Sequence, residues 1–152
     1  MNSGKQILPV YFHIPKNAGS YINETFFNRL RKDGIAKNFI NVFKGGKNIC
    51  NIICSSDVNK DNNFKLTIYS SWLYSVELKD LQLENLDVKL ICITPAGFRN
   101  YKKEIYNLIP NNMSIREFIC LRSPYNRLQS LYSYNYSQSN NYRHKTPILS
   151  SH

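Results

Sequence analysis

The stretch Pro9-Val10-Tyr11-Phe12-His13-Ile14-Pro15-Lys16-Asn17-Ala18-Gly19-Ser20 decides how the chain reads. Val10 to Ile14 is a short, nearly all-apolar run, the pattern of a strand buried on both faces. Proline cannot donate to a ladder, so Pro9 is expected to mark the strand's first residue. Pro15 to Ser20 then reads as a turn. Beyond it Ile22, Phe26, Phe27 and Leu30 recur at helical spacing, with Asn23, Glu24, Asn28, Arg29 and Arg31 on the other face. Gly34 is a natural stop for that helix. Strand, glycine-containing loop and helix N-terminus in this order expose unpaired backbone N–H groups backed by the helix dipole. Lys16 adds a full positive charge, Ser20 a hydroxyl donor, and Gly19 close backbone approach. Such a loop cradles a phosphate, although it is shorter than the G-x-x-x-x-G-K-[ST] pattern, and on its own it also fits a plain β–α turn with a surface lysine.

The last third of the chain is equally legible. Phe118-Ile119-Cys120-Leu121 reads as a buried strand ending at Arg122. Ser123 is a good helix cap and Pro124 a good first helical residue. Tyr125, Leu128, Leu131 and Tyr132 continue as a helical stripe, and from Ser137 onward the sequence is polar and is expected to form a disordered tail. The middle carries weaker signals. Ile49–Cys54 and Lys65–Ser70 read as short strands around a polar loop, Asp57–Asn63, and Val88–Thr94 as another apolar strand. Phe98–Leu108 reads as a helix that Pro110-Asn111-Asn112 breaks. No repeat or linker divides the chain, so residues 1–136 are expected to form one domain and 137–152 the tail. Strands alternating with helices predict an α/β fold with a central parallel sheet.

Charge supports an anionic ligand. The chain of 152 residues has a formal net charge of +10, unevenly spread. Residues 1–48 hold eight Lys/Arg against two acids and residues 99–152 again eight against two, whereas 49–98 hold four against six. Two basic segments around an acidic one suit an anion pocket built from both ends of the chain, or simply a lysine-solvated surface. The four cysteines, at positions 50, 54, 92 and 120, lack metal-ligand spacing, and buried free thiols are their expected state. No cluster of Asp, His or Cys implies a metal. No apolar run approaches the ~20 residues of a membrane span and no signal-peptide pattern opens the chain, so a cytoplasmic location is the expectation.

Phe12 to Ser20 resembles the H-I-P-K-[TN]-[AG]-G-[TS] signature of the carbohydrate (Golgi-type and related bacterial) sulfotransferases. Arg122-Ser123-Pro124-Tyr125-Asn126-Arg127-Leu128-Gln129-Ser130-Leu131-Tyr132 resembles the same family's R-D-P-x-x-R-x-x-S-x-Y segment, about 100 residues later. The resemblance covers residues 12–34 and 117–134. It implies a three-layer P-loop-like fold and a co-substrate, 3′-phosphoadenosine 5′-phosphosulfate (PAPS). Lys16, Asn17, Ala18, Gly19, Ser20 and Tyr21 would bind its 5′-phosphosulfate, and Arg122 and Ser130 its 3′-phosphate. Lys16 would also neutralise the leaving phosphate as a sulfuryl group passes to a hydroxyl, expected on a carbohydrate. Two positions depart from the family: Tyr21 replaces a Ser, and Ser123 an Asp. Arg127 is expected to be an ion-pair partner within the fold, and His13 a structural residue at the strand's end.

Sulfuryl transfer also needs a base for the acceptor hydroxyl. Relatives often carry a Gly-His element after a middle strand; the corresponding stretch, Ile68–Tyr74, has no His. Glu77 is the nearest carboxylate and the remaining catalytic candidate, and a solvated surface acid is its plainer reading. Family domains usually run well past the second motif, and this chain stops about 20 residues after Ser130, so an incomplete domain is expected. The alternatives are a non-catalytic nucleotide-binding relative, a P-loop kinase or NTPase, which would want G-K-[ST] and a magnesium-binding Asp, and a nucleic-acid binder, for which the tyrosine-rich segment after Leu131 has no accompanying motif.

Overall fold

A computed structural model describes residues 4–15, 17, 25–58, 63–67 and 71–143, with side chains to residue 137. The fold is mixed α/β, built on a seven-stranded sheet. In chain order the elements are β1 (Gln6–Phe12), α1 (Phe27–Lys32), β2 (Asn38–Lys44), β3 (Lys47–Cys54), β4 (Lys65–Leu66), β5 (Leu73–Glu77), β6 (Val88–Ile93), α2 (Pro95–Asn100), α3 (Lys102–Asn107), β7 (Met113–Ile119) and α4 (Pro124–Arg143). Two short 3₁₀ turns, Leu78–Asp80 and Leu83–Asn85, connect β5 to β6.

The strand order is β4-β5-β2-β3-β6-β1-β7. β1 runs parallel to β6 and β7, and β2 parallel to β5, but β3 is antiparallel to both β2 and β6, and β4 to β5. The expected central parallel sheet is therefore corrected to a mixed one. The cause is local: Gly45 and Gly46 stand at φ 57° and 72°, so Lys44 and Lys47 pair across a two-residue turn and the chain doubles straight back.

Other boundaries also differ from expectation. β1 starts at Gln6 rather than Pro9; its pairing with β6 begins only at Val10, so the missing Pro9 N–H falls where that ladder has not begun. β2 carries a two-residue period, with Asn38, Ile40 and Val42 buried between half-buried neighbours, yet the sequence reading gave no strand there. Of the strand expected at Lys65–Ser70, Lys65 and Leu66 form β4, and residues 68–70 lie outside the described residues. The helix expected over Phe98–Leu108 starts earlier, with Pro95 as its first residue and the Thr94 hydroxyl accepting from Gly97 N at 3.2 Å, and it breaks at Tyr101 into α2 and α3. Of the buried strand expected at Phe118–Leu121, Phe118 and Ile119 end β7 while Cys120 and Leu121 lie beyond it, and the expectation of burial is corrected: Phe118, Ile119 and Leu121 are exposed, at the end of the sheet order where β7 pairs with β1 alone among the described residues. The last helix continues through Arg143, past Ser137 where the sequence turned polar. Residues 144–152 of that expected tail lie outside the described residues.

Alternation along the strands creates two buried clusters. One holds Leu8, Val10, Ile40, Ile52, Ile91 and Ile93, closed by Ile105 of α3. The other holds Tyr11, Ile53, Leu90 and Cys92, closed by Phe27 of α1. Phe27 meets Phe39 and Trp72 with ring centroids 5.1 and 5.2 Å apart, and the Arg31 guanidinium lies 4.5 Å over Trp72. α2 packs on β3 so closely that a Cβ on Gly97 would stand 1.9 Å from the Ile49 carbonyl oxygen. Cys50, Cys54 and Cys92 are buried as free thiols, and burial raises Cys92 to about 12. No helix among the described residues is long and apolar enough to cross a membrane.

Candidate functional site

β1 and β7 pair along their whole length, from Gln6 opposite Met113 to Phe12 opposite Ile119. Because they run parallel, the loops that follow them leave the same edge of the sheet. Phe12 and Ile119 are adjacent across the ladder, ~4.8 Å apart in the hydrogen-bonding direction. The two segments singled out in the sequence are thereby neighbours although 105 residues separate their joining contact: Asn17 Oδ1 accepts from the Arg122 backbone N–H at 3.0 Å. Asn17 is 2% exposed. Its own N–H donates to the Ile14 carbonyl at 3.1 Å, so the loop's tight turn already uses that amide. Asn17 serves the site as a strut between the loops, not as a free amide donor.

A second tie crosses the same gap. Arg127 Nε donates to the Pro15 carbonyl at 3.4 Å. Arg127 is structural, but through this carbonyl instead of the ion pair expected of it. Ser123 Oγ accepts from Asn126 N at 3.3 Å, so the departure from Asp keeps a capping oxygen at the start of α4. Lys16, Ala18, Gly19, Ser20 and Tyr21 lie outside the described residues.

Arg122 and Ser130 line one shallow cavity of about 430 Å³ with Asn126, Gln129 and Ser133. The reading had missed these three. Their signal was present: 126, 129, 130 and 133 fall at helical spacing and present amides and hydroxyls on one face. The charge around them is positive. The first turn of α4 has no acid, and the Arg122 guanidinium makes no ion pair among the described residues. Glu117, the nearest acid along β7, is engaged by the Tyr106 hydroxyl and by Lys102 at 3.2 Å, which hold its carboxyl below the usual range. A basic, donor-rich hollow beside a helix N-terminus suits an anion.

His13 closes the end of β1, its backbone N–H donating to Ile93 at 2.9 Å, and burial pushes its imidazole below the ordinary value. Next to it, the Tyr11 hydroxyl is fully buried without a hydrogen-bond partner among the described residues. Burial, with Cys120 and Cys92 beside it, raises this phenol to about 12.

Glu77 is not brought to this site. It ends β5, four strands from β1 in the sheet order, or ~19 Å at ordinary strand spacing. It is exposed and walls two other cavities, of about 510 and 460 Å³, with Lys79. In the stretch compared with the family's Gly-His element, Ile68, Tyr69 and Ser70 lie outside the described residues, Trp72 packs on Phe27, and Leu73 and Tyr74 begin β5. Among the described residues no three His, Cys, Asp or Glu side chains group as a metal site. Compared with protein-family models, with curated proteins and with solved structures, the chain matches none.

Proposed function

We propose that this protein binds PAPS, or its product 3′-phosphoadenosine 5′-phosphate (PAP), at the carboxyl edge of β1 and β7. The observation that carries the reading is the Asn17–Arg122 bond, which ties a glycine-containing loop suited to one phosphate to an arginine suited to another. Ligands of α/β sheets gather outside the carboxyl ends of parallel strands, where both loops lie. In this reading Lys16, the Ser20 hydroxyl and the amides of residues 18–21 hold the 5′ end, with the P-loop-like three-layer arrangement that the motif implies. Arg122 forks two N–H groups onto the 3′-phosphate, and Ser130 adds a hydroxyl from the next turns of α4. Asn126, Gln129 and Ser133 supply further donors along that wall.

Transfer to a hydroxyl, on a carbohydrate or similar acceptor, is the activity that such a site would serve, with Lys16 offsetting charge on the leaving phosphate. The position of Glu77 favours a second reading, a nucleotide-binding protein that transfers sulfate poorly. A carboxylate four strands, or ~19 Å, from β1 is out of reach of an acceptor held at the end of that strand, and losing general-base catalysis typically costs ~10²–10⁴-fold.

Isothermal titration with EDTA present tests the binding. PAP is expected to bind without a divalent ion and more tightly than AMP or ATP. A magnesium requirement, or equal affinity for AMP, would refute it. A labelled-PAPS assay over glycans and small alcohols separates the two readings: robust turnover that disappears in Glu77→Gln would make Glu77 the base after all.

A further inference from the structure

Asparagine is depleted in strands, yet three asparagines meet on one face of the sheet where β2 and β3 pair. Asn41 and Asn51 are cross-strand partners and so share that face. Asn48 joins them through an irregularity in the ladder. Val42 pairs with Cys50 but Phe43 pairs with Asn48, which leaves Ile49 as an extra residue in β3. In a regular strand, residues 48 and 51 would point to opposite faces; the bulge turns Asn48 to the side of Asn51. It is held in place from the start of α2, where the Thr94 hydroxyl lies 2.9 and 3.0 Å from the carbonyls of Asn48 and Ile49. Bulges recur beside functional sites because they re-aim a side chain in this way.

The three amides do not satisfy one another. Asn48 Nδ2 donates to Asn41 Oδ1 at 3.2 Å and to Asn51 Oδ1 at 2.9 Å, which uses both of its hydrogens. Asn48 Oδ1 is buried without a partner among the described residues. The Nδ2 groups of Asn41 and Asn51 likewise bond to nothing among the described residues, although Asn51 is only 9% exposed. Unpaired amides in such a position cost free energy. The opposite face of the same strands carries Ile40, Val42 and Ile52, which are completely buried and carry no such cost. A ligand that completes the amides accounts for their presence.

A cavity of about 510 Å³, an ordinary size for a small-molecule site, adjoins them. Its wall includes Ser75 and Phe43, the cross-strand neighbours of Asn41 and Asn48. Its rim carries Lys65 and Lys79 against Glu77 and Asp80, so the two signs balance. We infer that the amide triad and this cavity bind an uncharged sugar unit of an oligosaccharide. Amide donors on neighbouring strands match the neighbouring hydroxyls of a sugar ring, each of which accepts and donates, and Phe43 offers its C–H face an apolar surface. A phosphate or carboxylate would want a cation, and the triad holds none. Ser75, Asn41, Asn51, Cys92 and Tyr11 stand opposite one another in a row across five strands. Asn51 is two strands, ~10 Å, from β1. A saccharide chain seated on the triad therefore extends toward the end of β1 and serves as the acceptor. That role rests on the nucleotide reading above; the sugar site itself does not.

Saturation-transfer NMR of the 152-residue chain with cellobiose, lactose and N,N′-diacetylchitobiose tests the site. At least one of the three is expected to take up saturation from the protein. Asn41→Val, which puts a good strand former at a half-buried position, should raise that saccharide's dissociation constant at least ~10-fold, as losing two hydrogen bonds would. Ser75→Val, on the cavity wall outside the hydrogen-bonded triad, should also weaken it and decides the matter if Asn41→Val does not fold. Transfer to none of the three saccharides, or transfer that both variants leave unchanged, would overturn the inference. Titration of the same wild-type sample with PAP reads the nucleotide site separately: a chain that binds a saccharide but no PAP would keep the sugar site and overturn its role as acceptor.

Discussion

The centre of the sheet and its β7–α4 flank are built on opposite terms. Along β3, β6 and β1, Ile52, Ile53, Ile91, Ile93, Val10 and Tyr11 are completely buried, each strand flanked on both edges. On the flank, Phe118, Ile119, Leu121, Tyr125 and Leu128 are exposed. Among the described residues β7 has a sheet neighbour on one side only, and α4 is tied back by the bonds of Asn17 and Arg127. The centre is held by apolar burial and sets the edge from which the loops leave; the flank carries the polar side chains that would meet a ligand. Groups that bind ligands have to stay wet, and a few directional hydrogen bonds can hold them where a core would exclude the ligand.

This contrast can be broken from the core side first. Gly97→Ala drives a Cβ into the Ile49 carbonyl, backbone against backbone, and neither α2 nor β3 can yield cheaply. A loss of at least ~3 kcal/mol is expected in urea denaturation, enough to leave a chain of this size marginal. A variant that melts with the wild type would mean that α2 does not dock on β3 as described.

Asn17→Ala probes the joint between the regions. It removes the acceptor of the Arg122 N–H from a buried position, which costs about 1–3 kcal/mol. Asn17→Asp, which keeps an acceptor there, should recover part of the loss. PAP affinity should fall in Asn17→Ala alongside stability, whereas Arg122→Ala should leave the melting temperature nearly unchanged. Equal melting of Asn17→Ala and wild type would show that the loops do not depend on this bond.

The smallest expected effect is on pH. Burial lowers the folded-state pKa of His13. The unfolded chain therefore takes up the proton first, and stability present above the ordinary value of about 6.5 is lost as pH falls from there through the folded value. His13→Gln should flatten this part of the melting-temperature profile. An identical slope in both proteins would assign it to other groups.

How much of this was legible in the sequence follows from how local each signal is. The strand through Val10–Phe12, the cap at Ser123 and the first turns of α4 each rest on residues within a few positions of one another, and they read correctly, although β1 ends two residues before the expected Ile14. Thr94 and Pro95 carried an equally local signal for α2 that a reading anchored on Phe98 passed over. The direction of β3 was written in Gly45-Gly46, where left-handed backbone dictates a hairpin, and that signal too was passed over. The tie between Asn17 and residue 122 had no local trace, because it depends on which strands become neighbours. For the same reason nothing in the sequence told that β5 would carry Glu77 four strands from β1. Asn126, Gln129 and Ser133 were hidden by attention to the apolar stripe of the same helix.

The central claim is that Arg122 and the loop after β1 form one site for a nucleotide phosphorylated at both ends. It is tested most directly by titrating wild type and Arg122→Ala, in EDTA, with PAP and with adenosine 5′-phosphosulfate, which lacks the 3′-phosphate. A charge-assisted bidentate contact contributes about 1.5–3 kcal/mol, so PAP should weaken about 10- to 150-fold while the second ligand changes little. Arg122→Lys should restore only part of the PAP affinity, since an ammonium cannot reproduce the fork. Equal losses for both ligands, or none for either, would contradict the account and leave Arg122 as a residue of the fold alone.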